Sequence, residues 1–457
     1  MREERRCEEG GVDAAARLPP TPSSLPPSRN LVLQTQGLAE VYISLAAEVP
    51  PPEGGGGAPF PAHLARAAAQ FTAVPVASIP LDPRPDRDYS HVPRFAGFGP
   101  LVEGVGGINR PKKVVARDDA GGAHAELVKA GHDDLRQDAV MQQFFALVNA
   151  LLAADRECAG RGLNVRTYKA VPFTPSAGVI QWVDRTAPLS TWLIGADRRS
   201  GAHARRAPAG TMTHAAASAE LQAAPADALR AAFDRVCAAF PPVLRHFFTE
   251  TFPNPPAWHA ARTTYARSAA VASVAGYVAG LGDRHSHNIL LDTATAAVVH
   301  IDLGVAFEQG AVLPTPELVP FRLTRDVVDG LGAAGADGPF RRVCEATLGV
   351  LRRAREPVTT VVEVLVHDPL YRWKATAAVG GGGPGAGAGA ADADGAPAPT
   401  VNPDAERALL RVRAKLAGLD GGDGGARGVG AQVTALLRDA ADPGKLCRMY
   451  VGWAPWL

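Results

Sequence analysis

The stretch "YVAGLGDRHSHNILLDTATAAVVHIDLGVAFEQG", residues 277–310, decides the fold and the chemistry of this chain. Polar residues stand here between runs of apolar ones, namely Asp283, Arg284, His285, Asn288 and Asp302. Charged side chains among core strands raise the free energy of the folded state unless they are paired, bind a metal or take part in chemistry. The stretch therefore predicts a polar site built into a hydrophobic core.

Two short strands are predicted inside this stretch, "NILLD" and "AVVHI", with a Thr/Ala turn between them. Such a hairpin brings Asn288 back towards Asp302, so that an amide oxygen and a carboxylate meet, and these ligands suit a hard cation such as Mg²⁺. Asp283 lies on the loop before the hairpin. We expect it to face a substrate hydroxyl and to orient that hydroxyl or accept its proton.

An acid for the nucleophile, an Asn and an Asp for metal, and an Asp-x-Gly turn are the components of ATP-dependent phosphoryl transfer. Protein kinases have the order His-Arg-Asp, then Asn, then Asp-Phe-Gly, whereas this chain has Asp-Arg-His and later "DLG". His285 is therefore expected to donate towards a γ-phosphate or to steady Asp283. The alternative is an ordinary Asp283–Arg284 ion pair at a loop, with Asp302 as a turn former.

Composition narrows the class of protein. The 457 residues carry a formal net charge of +1 with 20% charged residues, which does not favour binding to nucleic acid or to an acidic membrane. The five cysteines are scattered without a C-x-x-C pair, which favours a reducing compartment and argues against a disulfide scaffold or a Cys-based zinc site. We see neither a secretory signal nor an apolar run of about 18 residues, so a soluble intracellular protein is expected.

Upstream of the quoted stretch, the pattern is strand, strand, helix, strand, strand. The segments "KKVVARD" and "AELVKA" are predicted strands, "DDLRQDAVMQQFFALVNALLAADR" is a predicted amphipathic helix, and "NVRTYKAVPF" and "GVIQWV" follow as strands. Lys129 lies on the strand before the helix, whose acids could pair with it. The Gly-rich "EGVGGINRPKK" is a weak candidate for a loop that covers phosphates. Trp182 either stacks on a nucleotide base or belongs to the core.

Several segments are predicted to lie outside the packed lobes. Residues 1–30 are expected to be disordered, and 31–49 form an amphipathic helix that has no predicted partner nearby. Residues 195–228 are expected to be a loose insertion, and the Gly/Ala-rich segment that begins at 380 a flexible linker. The aromatic C-terminus either packs on the large lobe near the activation loop or forms an exposed anchor for a partner or membrane.

Four motifs carry a family resemblance: "LVKAGHDDLRQDAVMQQFFALVN", "GLGDRHSHNILLD", "HIDLGVAFEQGAVLPTPELVPFRLTRDVVDGLG" and "GWAPWL". With them, the chain resembles the catalytic end of the phosphatidylinositol 3-kinase-related protein kinases, of the ATM-like group. The resemblance implies an α+β, two-lobed kinase fold with a β-rich N-lobe, a helical C-lobe and a C-terminal FATC helix and hook. The expected domains are a disordered N-terminus with the remnant of a helical FAT region (1–70), the N-lobe (71–185), the C-lobe (186–379), a low-complexity linker (380–426) and FATC (427–457).

Residue roles follow from the resemblance. Lys129 resembles the lysine that binds ATP phosphates, with Asp133 and Asp138 as its nearby acids, although one residue more than usual separates Lys129 from "DDLRQD". Trp182 and Val183 resemble the hinge residues that contact adenine. Asp283 matches the catalytic acid, His285 its partner, and Asn288 and Asp302 the metal ligands. The activation loop would run from Asp302 to about 325 and would include Leu303, Gly304, Glu308 and Gln309.

The resemblance also implies ATP and magnesium or manganese as cofactors, Ser/Thr-Gln sites in proteins as substrates, and a nuclear role in double-strand-break signalling. A DNA-damage sensor complex is expected to bind through a helical region upstream, and we see no nucleic-acid site in these residues. A phosphoinositide lipid kinase is one alternative, but its activation loop should be basic, and residues 303–322 hold Glu308, Glu317 and a single Arg322. An inactive pseudokinase or a fragment of a larger protein is the other.

Overall fold

The structure, a computed structural model, describes residues 27–81, 88–107, 109–131, 135–197, 200–208, 210–366, 403–421 and 425–457. It divides into two compact units. The smaller takes its described residues from 1–133 and 171–182, and the larger from 134–170 and 183–457. The bounds of these units differ from the predicted lobes, 71–185 and 186–379, because residues 27–70 belong to the smaller unit and residues 135–170 to the larger.

The smaller unit is built on an antiparallel sheet. Its strands are β1 (Ala58–Pro59), β2 (Phe95–Phe98), β3 (Leu101–Gly104), β4 (Lys112–Asp118), β5 (Ala123–Ala130), β6 (Ala170–Thr174) and β7 (Ala177–Gln181). The order is β1-β3-β4-β5-β7-β6, with β2 also paired to β4. The alternation in "KKVVARD" places Val114 and Ala116 in the core, as a half-buried strand requires. The predicted strands at 112–118 and 125–130 are confirmed.

Helix α1 (Pro27–Ala47) belongs to the smaller unit, together with α2 (Ala62–Ala68). The predicted helix at 31–49 is confirmed, but the expectation that it lacks a partner is wrong. Its apolar face contacts β5 and β7 and buries Val41, Tyr42 and Leu45. Lys112 on β4 donates from Nζ to the carbonyl of Ala46 at 2.7 Å and satisfies an end of the helix. Residues 1–26 lie outside the described residues.

The larger unit is mostly helical. Its first helices are α3 (Leu135–Ala154), α4 (Arg156–Gly160), α5 (Leu189–Leu193), α6 (Ala202–Arg206), α7 (His214–Ala223), α8 (Leu229–Ala239), α9 (Arg245–Thr251) and α10 (Pro255–Ala279). The later ones are α11 (Arg325–Gly330), α12 (Pro339–Arg353), α13 (Arg355–Val366), α14 (Pro403–Ala417), α15 (Val429–Ala440) and α16 (Pro443–Leu446). The Ala-rich α10 packs closely on α12 at the centre of the core, since small side chains let helices approach.

A small antiparallel sheet in this unit carries the hairpin predicted from the sequence. It has the order β10 (Val298–His300), β9 (Ile289–Asp292) and β8 (Thr186–Pro188). Asp292 accepts hydrogen bonds from the backbone N–H groups of Ala294 and Thr295 at 2.7 and 2.9 Å, which fixes the turn, and it also pairs with Arg166. The predicted hairpin is therefore confirmed.

Two segments that composition marked as loose hold packed helices. Residues 195–228 contain α6 and α7, whose His203 and Leu221 are buried, so the predicted loose insertion is wrong there. The predicted linker 380–426 contains α14, which packs on α13 and α10. High Ala content favours helix as well as flexibility, and composition alone did not separate the two. Residues 380–402 and 422–424 lie outside the described residues.

The C-terminus packs into the larger unit after α15 and α16. Trp453, Trp456 and Leu457 are buried, while Tyr450 is 64% exposed. Of the two predicted alternatives for the aromatic end, packing is confirmed for all but Tyr450. Among the helices of the described residues, none is both long and apolar enough to span a bilayer.

Candidate active site

The site begins where helix α10 ends. Gly280 adopts the left-handed conformation (φ 62°) that terminates the helix, and a Cβ there would lie 2.5 Å from the backbone nitrogen of Glu308. Glu308 donates its N–H to the Gly280 carbonyl at 3.1 Å, and Gly282 donates to the carbonyl of Val305 at 2.8 Å. The loop that carries Asp283 therefore lies directly against the segment that follows Asp302.

The hairpin brings Asn288 and Asp302 to the same end. His300 pairs with Ile289, and Ile301 donates its N–H to the carbonyl of Asn288 at 3.1 Å. Asp302 follows at once, exposed and in the left-handed conformation (φ 54°). The predicted fold-back therefore places Asn288 and Asp302 at the same end of the hairpin. Their role as metal ligands stays a prediction.

Asp283 stands beside Asn288. The Asn288 side chain donates from Nδ2 to the carbonyl oxygen of Asp283 at 3.0 Å and approaches its carboxylate at 3.4 Å. Asp283 also has a left-handed backbone (φ 55°), and its side chain is 41% exposed. Strained, partly exposed polar residues of this kind are concentrated at functional sites.

Arg284 serves as an internal scaffold. It is 3% exposed and donates to the carbonyl oxygens of Gly282 and Ile301 at 2.7 and 2.8 Å, and to that of Asp302. The alternative of an ordinary Asp283–Arg284 loop ion pair does not describe this arrangement, because the guanidinium ties the loop to the hairpin end through backbone groups. Burial lowers the pKa of Arg284, and the nearby Asp283 and Asp302 oppose this effect.

His285 is a neutral imidazole at physiological pH. Burial, assisted by Arg284 and Arg322, lowers its pKa to about 4. Its Nδ1 accepts the backbone N–H of His287 at 3.2 Å, so we place the single ring proton on Nε2. That Nε2 lies 3.9 Å from the Asp283 carboxylate, which puts a hydrogen-bond donor next to the acid.

Asp138 supports the hairpin end from helix α3. It is 2% exposed, and its Oδ1 accepts the backbone N–H of Leu303 at 3.1 Å. Asp138 therefore fixes the turn after Asp302, and its predicted pairing with Lys129 stays a prediction. Asp133 lies outside the described residues.

The remaining predicted cofactor residues are Lys129, Trp182 and Val183. In the smaller unit, Lys129 is half-buried on β5 opposite Gly178. Trp182 is half-buried and lies outside the hydrophobic core clusters. Its backbone N–H donates to the Ala125 carbonyl, and the Lys113 ammonium lies 4.9 Å from the centre of its ring. Val183 begins the second segment of the larger unit, where its carbonyl accepts the Thr186 hydroxyl at 2.6 Å.

The predicted activation loop is held at several points. Leu303 is buried and Gly304 half-buried. Glu308 adopts φ 67° and pairs with Lys415 of helix α14, and Gln309 opens a short 3-10 turn, Gln309–Val312.

The later part of this loop contacts the C-terminal residues. Leu318 donates its N–H to the sulfur of Met449 at 3.4 Å, and the Arg322 guanidinium donates to the carbonyls of Trp453 and Ala454 at 2.7 and 2.9 Å. Packing of the C-terminus near this segment was one of the two predicted alternatives. Sequence reasoning missed the hydrogen bond from the N–H of Asp283 to Glu317 at 2.8 Å. A lone acid in a Pro-rich segment gave no local signal.

The donor set fits a hard divalent cation. Asn288 uses Nδ2 towards Asp283, so its Oδ1 is the atom suited to a metal, and the exposed Asp302 supplies a carboxylate at the same hairpin end. The described residues contain no group of three or more His, Cys, Asp or Glu that could hold a metal ion. The two oxygen ligands at the hairpin end are compatible with Mg²⁺, which keeps several waters and binds through one or two protein ligands and substrate phosphates.

Comparison with known proteins assigns the family. The model of the phosphatidylinositol 3- and 4-kinase family matches residues 125–375, a range that includes Lys129 and Trp182 of the smaller unit and Asp138 and residues 280–317 of the larger one. The chain belongs to this kinase family. A FATC domain matches residues 427–457, so this family member has the C-terminal element that the resemblance implied.

Relatives place this family member near the ATM and Tel1 kinases. It is 44% identical over 433 residues to the serine/threonine-protein kinase ATM of Arabidopsis thaliana, covering 93% of this chain and 11% of that protein. It is 38% identical to the serine-protein kinase ATM of Sus scrofa over 84% of this chain and 13% of that protein. Its fold matches the FAT and kinase domain of CtTel1 with a TM-score of 0.78 and 37% identity, over 94% of this chain and 29% of that one.

This kinase-family chain therefore corresponds to a C-terminal portion of much longer relatives. It spans about a tenth of the length of the two ATM kinases. The expected fold class, an α+β kinase fold of the phosphatidylinositol 3- and 4-kinase type with FATC, is confirmed.

Proposed function

We propose that this chain is an ATP-dependent serine/threonine protein kinase of the ATM type. The observation that carries the proposal is the meeting of Asp283, Asn288 and Asp302 at one hairpin end. Those three side chains are what phosphoryl transfer asks of a protein: an acid for the acceptor hydroxyl and two oxygen ligands for the cation. The ATM and Tel1 relatives are serine/threonine kinases.

In this mechanism Asp283 orients the acceptor hydroxyl and accepts its proton as the phosphoryl group is transferred. The Nε2–H of His285 stabilises the negative charge of the Asp283 carboxylate or that of a phosphate oxygen. Asn288 and Asp302 would hold Mg²⁺ or Mn²⁺, which when bound neutralises charge on the ATP phosphates. Arg284 and Asp138 keep both ligands in place through backbone hydrogen bonds.

We assign the nucleotide contacts by resemblance to the kinase family. Lys129 would bind ATP phosphates, Trp182 would stack on adenine, and the backbone of Val183 would contact the base. The half-buried position of Trp182 supports stacking over a role in the core. Asp133 and Asp138 would complete the phosphate side, with Asp138 also fixing Leu303.

A protein substrate fits this site better than a phosphoinositide. Between Leu303 and Arg322 the only cationic residue is Arg322 itself. Arg322 is 4% exposed, and its guanidinium donates to the carbonyls of Trp453 and Ala454. The structure describes this segment in full, and it contains no further arginine or lysine. An inositol phosphate requires several cations to neutralise its charge, and this segment does not supply them. The curated relatives, which are named protein kinases, also do not support the lipid-kinase alternative.

The finer biology follows from the ATM likeness. We propose that the substrates carry Ser or Thr followed by Gln, that the kinase acts in DNA-damage signalling, and that it works in the nucleus. Recruitment through a DNA-damage sensor complex would use regions that the relatives possess outside the matched portion.

The decisive assay compares three acceptors with the full chain and Mg-ATP: a Ser-Gln peptide, the same peptide with Gln replaced by Ala, and phosphatidylinositol vesicles. We expect turnover of the Ser-Gln peptide and no lipid product. Turnover of the Ala peptide should be about tenfold weaker, which corresponds to a loss of roughly 1.4 kcal/mol of transition-state binding. Turnover of lipid alone would refute the proposal, and turnover of none of the three would favour the pseudokinase.

A further inference from the structure

Glu317, an acidic residue of the activation segment, reaches the backbone of the proposed catalytic acid. Its Oε1 accepts the N–H of Asp283 at 2.8 Å. The two residues are 34 positions apart, and both belong to the larger unit. The contact therefore joins the activation segment to the catalytic loop directly.

The surroundings of Glu317 hold its carboxylate in one place. Its backbone N–H donates to the Gly310 carbonyl at 3.0 Å. A Cβ at Gly282 or Gly310 would lie 2.4 or 2.5 Å from Oε2, so only glycine leaves room for the carboxylate at these two positions. Gly282 directly precedes Asp283, and hence the carboxylate lies against the peptide unit that it binds.

Asp283 needs such support because its backbone is in the left-handed region (φ 55°), which a residue with a side chain adopts only when its surroundings impose it. Asn288 binds the carbonyl side of Asp283, at 3.0 Å, and Glu317 binds the N–H side. The two bonds fix the residue from both ends.

The surroundings of Glu317 act in opposite directions on its protonation. Burial raises the pKa of Glu317, and Asp283 adds to the rise, whereas the hydrogen bond from the Asp283 N–H and the nearby Arg284 lower it. The C-terminal residues flank the segment through Leu318 and Arg322. Glu317 thus lies between the C-terminal hook and the catalytic loop.

We infer that Glu317 is a positioning residue: it holds the peptide N–H of Asp283, so that the acid points correctly only when the activation segment and the C-terminal hook are packed. This inference rests on the proposed function of Asp283. It assigns to Glu317 no contact with substrate or metal.

Two mild substitutions separate the reach of the acceptor from its charge. Glu317→Gln keeps an oxygen of the same reach without the charge, and Glu317→Asp keeps the charge but is one methylene shorter. Hydrogen–deuterium exchange of the full chain, followed on peptides that contain residues 281–288, should be faster than wild type in Glu317→Asp and unchanged in Glu317→Gln. Kinetics on the Ser-Gln peptide should show kcat lowered about 10²-fold in Glu317→Asp, as a misplacement near 1 Å produces, with KM for ATP unchanged.

Asp155→Ala is the matched control. Asp155 also accepts backbone N–H groups, those of Glu157 and Cys158 at 3.1 and 3.0 Å, but at the start of α4. The Asp155→Ala variant should have a lower thermal stability than the wild type, but the same kcat and the same hydrogen exchange in the catalytic loop.

The inference is overturned if Glu317→Gln behaves like Glu317→Asp, if both keep wild-type exchange and kcat, or if faster exchange leaves kcat unchanged. A parallel rise in KM for ATP would also contradict it. Should the wild-type chain turn over no peptide, the proposed function fails by itself, and the exchange comparison still decides whether Glu317 holds the catalytic loop.

Discussion

Two polar clusters, one in each unit, place a carboxylate in different surroundings. In the smaller unit, Glu126 on β5 is 0% exposed; it accepts the hydroxyl of Tyr42 on helix α1 and the N–H of Ser78. In the larger unit, the cluster around Asp283 leaves that carboxylate 41% exposed. Both oxygens of Glu126 have protein partners in the core, whereas the carboxylate of Asp283, the proposed catalytic acid, is partly exposed to solvent.

The difference shows how a structural carboxylate is told from a functional one. Glu126 has ordinary strand geometry and a hydrogen bond on each oxygen, and it attaches α1 to the sheet. Asp283 and Asp302 have left-handed backbones, and the buried Arg284 between them binds backbone carbonyl oxygens. Strain combined with exposure marks the site, and burial with satisfied partners marks the scaffold.

The largest expected effect separates the two acids of the site. Asp283→Ala should lower kcat on a Ser-Gln peptide by about 10³–10⁴-fold, because it removes the group that accepts the hydroxyl proton. Mg-ATP affinity, measured by calorimetry, should stay close to wild type. Asp302→Ala should instead weaken Mg-ATP binding, because it removes a metal ligand. Equal ATP affinity in the two variants would contradict this division of roles. Neither variant should lower the midpoint of urea unfolding, whereas substitution of Glu126 should lower it.

Much of this site could be predicted from the sequence because its residues lie close together along the chain. Asp283, Asn288 and Asp302 fall within one loop and one hairpin, so strand periodicity alone brought them together. The contact of Asp138 with Leu303 spans 165 positions and that of Arg322 with Trp453 spans 131, and both depend on helix packing that no local pattern encodes. Glu317 stayed hidden for the same reason.

Helix α14 shows a different limit of sequence reasoning. Averaged over 380–426, composition is that of a linker, yet Ala405, Leu409, Val412 and Leu416 repeat at helical spacing and are buried. A window set to the helix period would have found it. Its contact through Lys415 to Glu308 required the tertiary structure.

A second, smaller effect tests whether Arg284 behaves as scaffold inside the site. Arg284→Lys keeps the charge but loses the planar fork that reaches Gly282, Ile301 and Asp302 together. We expect the free energy of unfolding of the larger unit to fall by about 3 kcal/mol, measured by urea titration, with kcat falling as well. The exposed Arg230→Lys is the control, since Arg230 pairs with Asp234 on the surface of α8. Unchanged stability in Arg284→Lys would place Arg284 with the functional residues instead.

The smallest effect concerns Glu126 and depends on pH. Glu126→Gln keeps an acceptor but alters the bond with Tyr42, and should lower the free energy of unfolding by about 1 kcal/mol with little change in kcat. Burial raises the pKa of Glu126, so the folded state binds more protons than the unfolded state above the ordinary pKa of the group. The wild type therefore loses stability from this residue as pH rises through that window, and Gln does not. The stability difference between the two proteins, followed by denaturant titration from acid to neutral pH, should shrink as pH rises; a constant difference would mean that Glu126 has the same pKa in the folded and unfolded states.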